Sequence, residues 1–149
     1  MNQEIVMFAM RFRAVGLVLI LPLLLTGQGP VTPEVLSSGS AAYRSNGARA
    51  AVSTWLSNSF LERDSALISR SVASLREVEK SFGSFVDLEV VGTSRIGSRV
   101  TRNYAVLLYE RGPMFVYFDT YRVSGKTIVT GFLFDPRPDA ILPSRLLGG

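Results

Sequence analysis

Neither cysteine nor histidine occurs anywhere in this chain of 149 residues, and the two absences remove most familiar chemistries at once. Without cysteine there is no disulfide framework, no thiolate nucleophile and no zinc or iron–sulfur site of the usual kind. Without histidine there is no imidazole base, no Ser-His-Asp triad and no facial metal triad. A carboxylate-only Ca²⁺ or Mg²⁺ site stays open, but no EF-hand loop occurs, and neither a metal nor a cofactor is expected. A catalyst would have to be assembled from Asp, Glu, Lys, Arg, Tyr, Ser or Thr.

Lysine is nearly absent as well: Lys80 and Lys126 are the only two, so the formal charge of +4 is carried by arginine. The arginines are scattered from Arg44 to Arg145 and form no run. A nucleic-acid footprint is normally a concentrated stripe, so the excess reads as a solvated face and no nucleic-acid partner is expected. The hydrophobic share of 47% is that of a globular chain, and the length suits one domain.

Long apolar runs are also missing, with one exception. Met10-Arg11-Phe12-Arg13 leads into Ala14–Leu25, which ends in Thr26-Gly27. A short basic stretch, about a dozen apolar residues and then small polar ones is the secretory pattern. A membrane span needs about 20 apolar residues, and Pro22 interrupts this one. Residues 1–27 are therefore expected to be a signal peptide, and the protein to be exported, periplasmic or secreted. Its removal takes away Arg11, Arg13 and Glu4 and leaves about +3 by the same count. Only an uncleaved N-terminus would tie the protein to a membrane.

Residues 28–47, with Gly29-Pro30, Pro33 and Ser37-Ser38-Gly39-Ser40, read as a flexible leader. Order is expected from Ala48, where Ala48, Ala51, Val52, Trp55, Leu56 and Phe60 form one helical stripe. Asp64 then caps a short second helix with Ala66, Leu67 and Ile68. A third, started by a cap at Ser71 or Ser74, turns Val72, Leu75, Val78 and Phe82 inward and stops at Gly83.

The pattern then changes to strands over Phe85–Thr93, Arg99–Glu110, Met114–Val123 and Lys126–Asp135. The turns between them are short, which makes consecutive strands antiparallel neighbours in a meander. The extended tail from Pro136 to Pro143 is expected to tuck Ala140-Ile141-Leu142 against the sheet, and residues 144–149 to trail beyond the domain.

Three N-terminal helices packed on a four-stranded antiparallel meander make an α+β domain over residues 48–143. With Trp55 in its first helix and Gly131-Phe132-Leu133-Phe134-Asp135 closing its last strand, this order resembles the NTF2-like group within the cystatin-like fold. That superfamily hosts isomerases, dehydratases, transport factors and secretion-system domains, so the resemblance implies a fold and leaves the activity open.

Two-residue turns at Arg111-Gly112 and Ser124-Gly125 set a register in which Tyr104 faces Asp119 and Tyr117 faces Phe132. One sheet face then holds Arg102, Tyr104, Val106, Leu108, Phe115, Tyr117, Asp119, Tyr121, Ile128, Thr130, Phe132 and Phe134. The other holds Asn103, Ala105, Leu107, Tyr109, Met114, Val116, Phe118, Thr120, Val129, Gly131 and Leu133. The second, smoother face is the natural seat for the helices.

The first face is aromatic, yet polar at mid-strand, and it carries the candidate site. Arg102, Tyr104, Tyr117 and Asp119 are the candidate ligand contacts. Phe115, Tyr117, Tyr121, Phe132 and Phe134 are the candidate interface. Isomerases of the resembled superfamily set an Asp base and a Tyr hydroxyl on a ligand in a cavity, and that chemistry needs a desolvated carboxylate. The same residues equally make a structural Tyr–Asp–Arg network. The expected function is a non-catalytic exported domain binding a protein partner, a second copy of itself or a small apolar ligand. The alternatives are a ketosteroid-isomerase-like enzyme acting on a hydrophobic carbonyl compound, and a periplasmic domain of a membrane-anchored envelope assembly.

Overall fold

The computed structural model describes residues 30–148, so the signal peptide expected over residues 1–27 lies outside the described residues. Its elements are α1 (Glu34–Asn46), α2 (Ala48–Leu56), a 3-10 turn (Phe60–Arg63) and α3 (Ser65–Phe82). Then come β1 (Phe85–Arg95), β2 (Val100–Tyr109), β3 (Gly112–Val123) and β4 (Lys126–Asp135). A one-turn α4 (Pro138–Ile141) and a 3-10 turn (Ser144–Leu146) finish the chain. The domain is α+β, with an open antiparallel sheet of four strands in the order β1-β2-β3-β4. Among the described residues no helix is long and apolar enough to cross a membrane.

The expected leader needs correction, because from Glu34 onward it is α1. Leu36, Gly39, Ser40 and Tyr43 recur at helical spacing and are buried. Small and polar residues on this stripe hide its amphipathicity from a hydropathy reading. Gly39 is small so that the Trp55 indole can lie on its backbone. Trp55 also donates to the Leu36 carbonyl at 3.3 Å, and Tyr43 stacks on Phe85 at 4.1 Å between ring centres. Helix α1 is thus part of the core.

Helix α2 buries Ala48, Ala51, Val52, Trp55 and Leu56, as the stripe predicts, but it ends at Leu56. Asn58 then takes a left-handed φ of 62°, and Phe60, expected on the same stripe, is 74% exposed. Asp64 does cap a helix by accepting from the Leu67 N–H at 2.8 Å. That helix runs unbroken to Phe82, so the expected second and third helices are one. Ser71 is no cap: its hydroxyl donates back to the Leu67 carbonyl at 2.8 Å inside the helix. Gly83, at φ 84°, supplies the expected stop.

The helices cover the smoother face, where Trp55, Leu56 and Leu75 meet Ala105, Leu107, Val116, Phe118 and Val129. The tail crosses the opposite face and buries Ile141 and Leu142 beside Tyr104. It holds a helical turn where an extended segment was expected, and residues 144–146, expected to trail beyond the domain, form a 3-10 turn that sets Leu146 over Gly92.

Two details of register place the candidate site. The β2–β3 turn is Glu110-Arg111, since Tyr109 pairs with Gly112. This moves every β2–β3 pair by two positions and leaves face membership intact. The β3–β4 hairpin turns at Ser124-Gly125, both at positive φ, and follows the expected register as far as Thr120–Val129. There a bulge intervenes: Asp119 pairs with Gly131, leaving Thr130 as the extra residue. Beyond the bulge the alternation is inverted.

Candidate functional site

Adjacent strands β2 and β3 present Arg102 directly opposite Asp119, and Tyr104 opposite Tyr117. The expected Tyr104–Asp119 pairing is therefore corrected: the two-residue move of the turn puts a cation, and not a phenol, across from the carboxylate. Arg102 Nε and Nη2 donate to Asp119 Oδ1 and Oδ2, each at 2.8 Å, which is the bidentate fork that matches a guanidinium to a carboxylate. The guanidinium carbon also lies 3.9 Å from the centre of the Tyr117 ring. The hydrogen bonds from Arg102 to Asp119 raise the guanidinium pKa further, against a smaller opposing effect of burial. Arg102 therefore stays charged at any physiological pH.

The bulge corrects the candidate interface. Phe132 now pairs with Phe118 and Phe134 with Val116, so both rings turn to the helix side and pack on the main core. Phe132 lies 6.0 Å from Phe118 and 6.0 Å from Phe134, centre to centre. Leu133, expected beneath the helices, faces outward beside Tyr117 and is 51% exposed. No hydropathy signal separates Phe132 from Leu133. The inversion belongs to the backbone at Thr130, whose hydroxyl donates to the Asp119 carbonyl at 3.3 Å.

The other candidates stay on the outer face under different cover. Tyr104 is 9% exposed, closed over by Ile141 and Leu142. The Arg145 guanidinium lies 5.9 Å from its ring centre, and Arg145 donates to the Thr93 carbonyl at 3.2 Å. Phe115 and Tyr117 are half-buried at the edge of the same cluster, and Tyr121 is half-buried opposite Val100 and Ile128. The structure therefore joins Arg102, Asp119 and Tyr117 in one contact group, with Tyr104 packed beside Tyr117 but not opposite the carboxylate.

Two open grooves, of about 390 and 310 Å³, lie elsewhere, and neither is lined by Arg102, Tyr104, Tyr117 or Asp119. The first sits between α1, the end of α2 and the β3–β4 hairpin, with Glu34, Ser38, Thr54, Asn58 and Lys126 on its walls. Among the described residues no group of three or more acidic side chains is placed to hold a metal ion. Comparison with protein-family models, with curated proteins and with solved structures returned no match to this chain.

Proposed function

We propose that this protein is an exported, non-catalytic binding domain of the NTF2-like kind, and that it associates with a second copy of itself through the outer sheet face. The observation that carries the reading is the closed Arg102–Asp119 fork. A general base needs a carboxylate free to reach a substrate proton. Asp119 has both oxygens engaged by a permanent cation, and the phenol that would complete an isomerase site is under the tail. The order of helices and meander, with α1, α2 and α3 together on one face, supports the NTF2-like assignment.

A second copy fits the face better than a charged partner does. Arg102 and Asp119 put one positive and one negative group side by side, flanked by Tyr117, Tyr121, Ile128 and Leu133. A patch of that kind is self-complementary under a two-fold axis, the commonest symmetry of oligomers. Aromatic residues and a paired Arg at the centre are what interface cores favour.

Sedimentation of the full chain in a mild neutral detergent tests this. The expected result is a dimer that Leu133→Asp converts to a monomer with the same circular dichroism spectrum, and with a midpoint that no longer rises with protein concentration. A monomer at concentrations on the order of 100 µM, or a Leu133→Asp dimer, would overturn the association. Export rests on the pattern from Met10 to Gly27 alone, and N-terminal sequencing of the product from expressing cells checks it.

A further inference from the structure

At the end of the sheet beyond the helices, the helix-side face changes from apolar to polar and basic. The register puts Thr93 beside Asn103, Arg95 beside Thr101, Thr101 beside Thr120 and Arg122 beside Thr127, all on that face. With Arg99 from the β1–β2 loop they line a groove of about 310 Å³, walled on its far side by Pro30, Val31 and Pro33. Its volume is at the small end of the range for small-molecule sites, about 300–1,000 Å³.

The floor is built and rigid. Asn103 and Thr120 are 2% and 3% exposed. Asn103 Nδ2 donates to Thr120 Oγ1 at 2.9 Å, and the Thr120 hydroxyl donates to the Thr101 carbonyl at 3.0 Å. The Arg122 N–H donates to the Arg99 carbonyl at 2.9 Å, which sets the backbones of those two arginines side by side at the rim.

No carboxylate lines this groove. Arg95, Arg99 and Arg122 have no ion pair among the described residues, so no protein carboxylate neutralises the charge around the groove. Three like charges around one concavity repel one another, and a bound anion relieves that repulsion. Arginine forks match phosphate oxygens in pairs.

We propose that this groove binds the phosphate-type oxyanion of a small molecule. The apolar wall of Pro30, Val31 and Pro33 leaves room for an organic portion beside the charged head. Such a head reaches the groove either on a soluble phosphate or on a lipid.

Calorimetric titration of the full chain in neutral detergent tests the proposal. The probes are pyrophosphate and dihexanoyl phosphatidic acid, with dihexanoyl phosphatidylcholine as control. Saturable binding of pyrophosphate supports the site and points to a soluble phosphate; binding of the phosphatidic acid alone supports it and points to a headgroup. In either case the Arg99→Gln/Arg122→Gln double variant is expected to bind at least about tenfold more weakly. Arg95→Gln provides a second variant should the double one unfold. Absence of binding by both phosphates, equal binding by the variants, or equal binding of the phosphatidylcholine would overturn it.

Discussion

The backbone of Gly39 lies so close to the indole of Trp55 that a methyl group added there would fall inside the ring. This contact joins α1 to α2 and brings a segment that reads as a leader into the core. Gly39→Ala should therefore cost about 1–3 kcal/mol by overpacking, although alanine is the better helix former. Urea unfolding would measure it, and a stabilised variant would mean that the two helices do not meet as described. Trp55→Ala should cost about 3–5 kcal/mol, since it opens a cavity and removes the indole hydrogen bond to the Leu36 carbonyl.

The Arg102–Asp119 fork should behave as a coupled unit. Its side chains are 31% and 23% exposed, between the surface case, where ion pairs contribute little, and the buried case, where breaking one is costly. Asp119→Asn and Arg102→Met should each destabilise by about 1–2 kcal/mol, with a coupling energy of about 1 kcal/mol in the double-mutant cycle. A coupling near zero would show that the fork does not persist in solution.

The bulge at Thr130 makes neighbouring residues unequal. Phe132→Ala should cost about 3 kcal/mol or more, because its ring packs on Phe118, while Leu133→Ala should change the stability of the monomer by no more than about 0.5 kcal/mol. The reverse order in chemical denaturation would restore the unbulged register.

Alkaline pH should weaken the domain through Tyr43 and Tyr109, whose hydroxyls meet at 3.2 Å in the core. Burial raises the Tyr43 pKa, as do the Tyr109 hydroxyl and Glu79. Burial, only partly offset by the hydrogen bond with Tyr43, pushes Tyr109 up to about 12. A phenol whose folded pKa lies above its unfolded one contributes stability that is complete below the unfolded value and lost as pH rises through the folded one. The melting temperature should thus fall from about pH 10 upward. Tyr43→Phe/Tyr109→Phe should show a shallower fall, and an identical slope in the double variant would remove the pair from the explanation.

Much of the fold is legible in the residues because local rules and tertiary packing agree there. Asp64 and Gly83 bound α3, Ser124-Gly125 forms the last hairpin, and Trp55 sits on a buried stripe of α2. Helix α1 is not legible in this way. Its buried face is made of Leu36, Gly39, Ser40 and Tyr43, and glycine and serine score as linker unless the indole that needs the space is in view. Phe60 misleads in the opposite sense, since it continues the α2 period one turn past the residue where the backbone leaves the helix.

By itself the sequence determined the α+β order, the antiparallel meander, the tuck of Ile141 and Leu142, and the exclusion of cysteine and histidine chemistry. Each of these depends on residue types or short-range spacing. Only the tertiary structure decided that Asp119 faces Arg102 and that Phe132 and Phe134 point inward. It alone gathered Arg95, Arg99 and Arg122 around one groove. The physical reason is that strand side chains alternate with a period of two, so a two-position move of a turn changes every partner and a single bulged residue changes every face beyond it. Neither leaves a mark in composition or hydropathy.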